Sequence, residues 1–596
     1  MTPGKPAVYN ADAGKKGSSP TMPRRSFSAQ SLALCLLAAA CLGGGVSAAR
    51  AQTADILLLH GRIWTANPSR PWVEALAIRG ERILAVGSDS EIEPLSGPAT
   101  QVIELGGRMA MPGIIDSHLH FLEGSLSLDQ FALDDAATLD EVRRRIRAFA
   151  AAHPDRPWLL GHGWYYPVFK PANLPTKEIL DELVPDRPVV VECYDGHSVW
   201  VNSKALAAAG IRRETPDPRQ EGLVVGVIVR DPKTGEPTGV LKEGAADIVR
   251  RLEPQPTHEG KLQALRAGLA EANRHGVTSG VNAGSSLEEV ELYDELRQRN
   301  ELTVRLRTAL LLQPKLAPAI LEQYEQARTR FNNDWVRAGV IKAFMDGVVE
   351  SHTAGMLEPY ADDPKSSGFL NYDPEQFRKL VVELDRRHFQ MMTHAIGDRA
   401  VRVTLDAYEA AERANGARDR RFRIEHIEII DPADMSRFGR LGVIASMQPF
   451  HCYPDEDTIS VWAGAIGPKR LPYAWAWHDL EAAGARLAFG SDWPVVSLDP
   501  FIGIQNAVTR QTNDGKPPGG WVGHQKVSIE QTLYAYTRDA AYAEFEDQAK
   551  GSLDPGKLAD VIVLSQNLFE TAPLEIRKTR VMATLVGGRI VYRSGL

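Results

Sequence analysis

Cysteine, basic charge and long apolar runs are what this chain has least of. It holds four cysteines in 596 residues. Cys35 and Cys41 fall in a leader-like stretch, which leaves Cys193 and Cys452 in the body of the protein. At most one disulfide can join that pair, and two separate buried thiols are the expected arrangement. Acidic residues outnumber basic ones, 76 to 68, for a formal net charge of −8. Without residues 1–51 the balance is 75 acidic to 62 basic, or −13. A chain of that sign is a poor partner for nucleic acid or an anionic membrane. The most apolar run, Leu32–Leu42, is too short to cross a bilayer as a helix, so no stable membrane insertion is expected. No internal repeat or low-complexity segment is seen after the leader.

What is present is ordinary for a globular protein, with 43% hydrophobic and 24% charged residues. The length suits one large composite unit better than a string of small domains. Residues 1–51 read separately. Arg24-Arg25 precede the apolar run, and Gly43-Gly44-Gly45 and small residues follow it as far as Ala51. That order is the pattern of a cleaved export signal. Cleavage is expected after Ala51, with delivery to the periplasm. Arg24-Arg25-Ser26-Phe27 resembles a twin-arginine signal, whose pathway carries folded proteins. The alternative is a lipoprotein signal acylated at Cys41, although Ala38 stands where Leu is usual.

Short apolar runs separated by glycine-containing turns mark both ends of the remaining chain as strand-rich. Examples are Ile56-Leu57-Leu58-Leu59 before Gly61, and Val581 to Val586 before Gly587-Gly588. From residue 262 a helix–strand rhythm sets in, with strands predicted at 277–282, 303–312, 336–345, 389–394, 422–429, 443–448 and 486–490. Together with the run ending at His120 this makes eight strands. Their alternation with helices calls for a parallel sheet with right-handed crossovers. The interval from about 122 to 262 has mixed helix and strand character and interrupts that rhythm. Its basic run, Arg143 to Arg147, reads as the wet face of an amphipathic helix.

The chemistry gathers at strand ends. Met111-Pro-Gly-Ile-Ile-Asp-Ser-His118-Leu-His120 closes an apolar run with two histidines two apart, which face the same side of a strand. Lys342 in Lys-Ala-Phe-Met-Asp-Gly, His394 in Thr-His-Ala-Ile-Gly-Asp, His426 in Glu-His-Ile-Glu and Asp492 in Gly-Ser-Asp-Trp-Pro occupy equivalent positions. In a β/α barrel the C-terminal strand ends build the active site. Each residue also has a plainer reading: Lys342 salt-bridged to Asp346 or reaching solvent, Asp492 capping a turn before Trp493-Pro494.

These motifs, with Asp195-Gly196-His197-Ser198 and Val201-Asn202-Ser203-Lys204 upstream, resemble the amidohydrolase superfamily of metal-dependent hydrolases. Their wording resembles its amidohydrolase-3 branch of YtcJ-like proteins and N-substituted formamide deformylases, over roughly residues 54 to 596. The resemblance implies an α/β fold, a distorted (β/α)8 TIM barrel over 113–544. It implies a small β-sandwich from both chain ends, 52–112 and 545–596, and an α/β insertion after the first barrel strand. It implies two divalent ions, zinc by expectation, with His118, His120 and Asp492 on one and His394 and His426 on the other. Lys342, carboxylated by carbon dioxide, would bridge them. Asp492 would also move the proton, and His197 would polarise the substrate carbonyl.

The reaction so implied is hydrolysis of a non-peptide C–N bond in a small-molecule linear amide, such as an N-substituted formamide or N-acyl compound, by metal-activated water. N-acyl-amino-acid deacylation, and hydrolysis of cyclic imides, carbamates or esters, remain open, as does a non-catalytic periplasmic binding protein on the same barrel. Homodimers are common in such a family. Trp164, Tyr165, Tyr166, Trp200, Trp462 and Trp493 crowd the loops, which suggests aromatic walls with few charges and an apolar substituent. His162, His352 and His451 also lie near strand ends or loops, where any could touch substrate, but the structural reading is preferred for each.

Overall fold

Eight strands lie side by side in one parallel sheet in chain order: β1 Ile114–Leu119, β2 Val277–Ser285, β3 Arg305–Leu311, β4 Val336–Phe344, β5 Gln390–Ala395, β6 Arg423–His426, β7 Ile444–Met447 and β8 Arg486–Phe489. The computed structural model describes residues 53–596 except 172, 221–222 and 314–316. The signal-peptide, twin-arginine and Cys41 readings lie outside the described residues.

Helices α1 His258–Arg274, α2 Leu287–Gln298, α3 Pro318–Arg330, α4 Pro374–Arg386, α5 Asp398–Asn415, α6 Pro432–Leu441 and α7 Trp477–Ala482 alternate with these strands. The strands are buried almost throughout, as a parallel sheet covered by helices requires. The helices present one apolar stripe. In α4, Phe377, Val381 and Leu384 face inward, while Asp373 caps the start through the Glu375 and Gln376 N–H groups and Pro374 opens the first turn. The result is the expected TIM-like barrel.

Where β8 comes round to β1, loop bonds take the place of a ladder. Asp492 N–H donates to the His118 carbonyl at 2.7 Å, and His120 N–H to the Trp493 carbonyl at 2.7 Å. The Asp116 carboxylate accepts from Ser491 N–H at 2.9 Å and His118 N–H at 3.1 Å. This seam demands glycine at 490, since a Cβ there would stand 2.5 Å from the His118 nitrogen. The seam thereby sets His118, His120 and Asp492 beside one another.

Two further sheets occupy the chain ends. One contains four strands in the order 82–87, 75–79, 56–59 and 101–104. In the other, Val561–Leu564 pairs antiparallel with Met109–Pro112, so the C-terminal strands join the segment leading into β1. Leu58, Leu76 and Ile78 of the first sheet and Ile63, Val563 and Leu585 of the second share one core. A six-stranded mixed sheet with helices at 139–152, 177–183 and 203–208 fills the interval between β1 and β2. Arginines of its basic run form ion pairs, Arg144 and Arg145 with Glu141 and Arg147 with Glu182. Cys193 and Cys452 are free and buried. Among the described residues, no helix is long and apolar enough to cross a membrane.

Candidate metal centre and active-site cavity

The strand ends converge on one point. At the end of β1 the His118 and His120 rings lie 5.6 Å apart, centroid to centroid. His118 Nδ1 is 2.7 Å from Glu425 Oε2, and Arg423 grips that carboxylate at 2.9 and 3.0 Å. Arg423 and Glu425 share a face of β6 because they are two apart. His426, next in sequence, nevertheless lies beside the same His118 ring, 4.8 Å between centroids. Left-handed backbone at His426, φ 73°, and Ile427, φ 48°, breaks the alternation and turns the ring inward. Asp492 is also left-handed, φ 66°. Non-glycine residues hold that conformation where the surroundings enforce it, commonly at functional sites.

The Asp492 carboxylate sits among four imidazoles. Its Oδ1 is 3.4 Å from His118 Nε2 and 3.2 Å from His120 Nε2. Its Oδ2 is 3.8 Å from His426 Nδ1 and 3.7 Å from His451 Nε2. His394 packs against His426, with centroids 4.5 Å apart. Lys342 is fully buried, its Nζ 3.2 Å from His118 Nε2 and 4.5 Å from the Phe344 ring centre. All six expected ligand residues are therefore neighbours. Atoms of His118, His426 and Asp492 lie within 4.8 Å of one another, close enough to share an ion.

The donor set fits a divalent cation. Asp492 Oδ1 and His451 Nε2 are buried without a hydrogen-bond partner, a costly state that a cation would relieve. Burial pushes His118 down to about 4, helped by the Lys342 charge. Burial likewise drives His394 and His426 well below the usual histidine range. Lys342 falls to about 8, again through burial. Burial opposes the Asp492 charge, yet His118 and its neighbours hold that carboxyl well below its usual range. Burial also opposes the charge on His120, but there Asp492 prevails and raises it. Neutral His118, His394 and His426 beside a carboxylate are the protonation states that ligate zinc and related ions.

His197 arrives from the insertion. Its Nδ1 is 3.0 Å from Glu243 Oε2, and its ring centre is 5.5 Å from that of His394. Burial works against its charge, but Glu243 lifts it to about 9. Asp346 corrects one plainer reading. It does not pair with Lys342, but accepts N–H bonds from Gly355, Ile396 and Gly397 at 2.9 to 3.0 Å, pinning two loops. His352 pairs with Asp362 at 2.9 Å and lies outside the cavity lining, whereas His162 lines it beside Asp134. His451 is the residue that sequence reasoning placed near a strand end but read as structural. It stacks on His426, 5.9 Å and 5° apart, and reaches Asp492. Its place just beyond the C-terminal end of β7 was the available signal.

Above this group opens a cavity of about 2070 Å³, bounded by the insertion and the loops after the strands. Two of the six loop aromatics singled out in the sequence, Tyr165 and Trp493, line it. Trp164, Tyr166, Trp200 and Trp462 are buried in the core instead. The expectation of few charges fails outright. Sixteen acidic residues line the cavity against three arginines, Arg219, Arg250 and Arg251, and no lysine. These carboxylates are scattered from Glu123 to Asp492, so no local run betrays them.

The amidohydrolase family model matches residues 101–592. The chain belongs to the amidohydrolase family. This amidohydrolase is 34% identical to the protein LONG AFTER FAR-RED 3 of Arabidopsis thaliana, over 90% of this chain and 92% of that one. It is 30% identical to the putative amidohydrolase YtcJ of Bacillus subtilis, over 89% and 98%. It is 25% identical to the N-substituted formamide deformylase of Arthrobacter pascens, over 91% and 99%. A solved metal-dependent hydrolase of Pyrococcus horikoshii shares its fold with a TM-score of 0.69 at 23% identity, covering 87% of this chain and 99% of that one. The amidohydrolase described here is a metal-dependent hydrolase of carbon–nitrogen bonds other than peptide bonds.

Proposed function

We propose that this amidohydrolase cleaves a linear amide, an N-acyl or N-formyl amine, at the Asp492 end of the cavity. The observation that carries the reading is the convergence of neutral His118 and His426 on a buried Asp492 whose Oδ1 lacks a partner. His118, His120 and Asp492 would hold one ion, zinc by preference, and His394 and His426 a second. Lys342 completes the set as a carbamate: its amine nitrogen adds to carbon dioxide and releases a proton, which requires the neutral form that burial favours. When bound there, divalent ions polarise the scissile carbonyl and acidify water.

The chain's own groups supply the rest. Asp492 accepts a proton from the attacking water and returns it to the leaving nitrogen. Glu243 holds His197 as a charged donor, which stabilises negative charge on the carbonyl oxygen. The acidic cavity wall argues against a carboxylate-bearing substrate such as an N-acyl amino acid. Of the three lining arginines, Arg250 is already held by Glu192, its Nε at 2.8 Å.

The test is amine release by the zinc-loaded full chain, supplied with bicarbonate, across N-formyl amines, N-acyl amines, N-acyl amino acids and cyclic imides. Turnover confined to linear amides supports the reading. Turnover of imides alone, or metal binding with no turnover of any compound, overturns it, the latter in favour of a binding protein. On the pattern of residues 1–51 we also propose export, for which a secreted form beginning at Gln52 is the expected mass-spectrometric result.

A further inference from the structure

On the cavity wall, beginning three residues before His197 in the chain, lies a second buried group that the metal centre leaves unused. The Tyr194 hydroxyl lies 3.3 Å from Glu350 Oε1 and also within bonding distance of Asp457 Oδ2. One phenolic proton cannot serve both carboxylates at once. Asp457 is 2% exposed, it lines the cavity, and its Oδ1 has no partner. Among the described residues, neither Glu350 nor Asp457 forms an ion pair with lysine or arginine. Burial pushes Asp457 up to about 7, and burial with the charges of Glu428 and Asp457 raises Glu350 well above its usual range. Asp457 also opens a π-helical turn, Asp457–Trp462, an irregularity frequent at functional sites.

Glu428, whose charge acts on Glu350, links this group to the metal ligands and lines the same cavity as Glu350, His426 and Asp492. Glu428 Oε1 is 3.9 Å from His451 Nδ1, and His451 Nε2 is 3.7 Å from Asp492 Oδ2. Tyr165, Tyr194, Phe450 and Tyr453 line the same cavity and offer ring faces to a cation. An alkylammonium brings three N–H donors on a compact charge. Asp457 Oδ1 lacks a partner, and the Glu350 carboxylate and the Tyr194 oxygen beside it can accept as well.

We propose that the substrate carries a protonated amine, bound by Glu350, Asp457 and Tyr194 while its amide bond lies at Asp492. The inference rests on the amide reading above and narrows it to N-acyl compounds with a second, cationic nitrogen. The sixteen lining carboxylates favour the same ligand at longer range, because an acidic cleft concentrates cations.

The test compares N-acetyl-1,5-diaminopentane with N-acetylhexylamine, which replaces the ammonium by a methyl group, on the zinc-loaded full chain. The ammonium compound is expected to have a kcat/KM about tenfold higher or more, carried by KM, as a charged hydrogen bond warrants. Asp457→Asn and Glu350→Gln should each bring that ratio toward one. A ratio near one in the unaltered protein overturns the proposal, and so does a ratio that both variants leave intact. Calorimetry with pentylammonium and with pentanol needs neither turnover nor a folded variant. Tighter binding of pentylammonium is expected, and equal binding overturns the proposal. Calcium that displaces pentylammonium at micromolar concentration overturns it too, by making the group a metal site. If pentylammonium binds while neither amide is hydrolysed, the cation subsite stands and the amide reading falls.

Discussion

Two lysines of this protein are equally hidden and chemically opposite. Lys550, 3% exposed, sits near the N-terminal ends of the barrel strands, its Nζ 2.7 Å from Glu544 and 2.6 Å from Glu546, with the Ser279 hydroxyl as a third partner. Lys342, wholly buried near the C-terminal end of β4, faces a histidine nitrogen and an aromatic ring, with no carboxylate in ion-pair contact. Burial opposes the charge on both. At Lys550 the two glutamates outweigh it and raise the pKa, while at Lys342 it prevails. Burial therefore does not separate a structural lysine from a chemical one; the partners do. A related contrast separates one group from each end of the barrel. Arg305 and Asp560 meet through two bonds of 2.8 and 3.0 Å at the stability end, where Glu544 Oε1 nevertheless makes no hydrogen bond, while at the other end Asp492 Oδ1 makes none and faces imidazoles alone.

The comparison breaks most sharply at Lys342. Lys342→Met should lower turnover on the order of 10³-fold, since ion-based catalysis is worth several kcal/mol. Metal content should fall, while the melting temperature of the metal-free protein should hold or rise, because a buried amine without an ion-pair partner has gone. Metal analysis beside a melting curve checks this; normal metal content with full activity would erase the contrast. Asp492→Asn should reduce kcat by about 10² to 10⁴-fold, the span of a lost general acid–base. Near-normal rates would take the proton-transfer role away from Asp492.

Lys550→Met should do the reverse of Lys342→Met. Stranding Glu544, while Glu546 keeps Arg337 at 3.1 Å, should cost about 3–5 kcal/mol in a denaturant titration, and the folded fraction should keep its metal and its turnover. Loss of metal in that variant would show the two ends to be coupled. Glu243→Gln should cost about 10 to 100-fold in rate, as removing an orienting partner does. It should also lower the His197 pKa from its raised value, readable by histidine NMR. The smallest effect is one of pH. The folded pKa of Lys550 lies above its unfolded value of 10.5, so its pairing stabilises fully below pH 10.5 and is lost as pH climbs through the raised value. Melting curves of Lys550→Met should lack that alkaline limb.

Much of the site was legible because its residues sit at strand ends marked by local wording. His118 and His120 share a face through a period of two, and Lys342, His394, His426 and Asp492 each close an apolar run. The eight strands followed from the same runs, with β3 two residues shorter at its start than the run from Thr303 suggests. His451 was read as structural because it follows β7 in a 3-10 turn, Pro449–Cys452, where histidine has no periodic signature. Glu425 escaped because it looks like any strand polar residue until Arg423 and His118 are seen on either side of it. The loop aromatics misled, since Trp164 and Trp200 pack beneath the loops they appear to decorate.

By itself the sequence determined the barrel, the family and the six residues that meet at its mouth. Those depend on short-range order: apolar periodicity, a turn, and a polar side chain at a fixed offset from it. Only the tertiary structure decided which charges remain unpaired. Glu350 and Asp457 are 107 residues apart in the chain, and Tyr194 lies 156 and 263 residues from them, yet one hydroxyl touches both. Whether a buried carboxylate is satisfied depends on such distant partners. That is why the cation-seeking wall of the cavity became visible only in the fold.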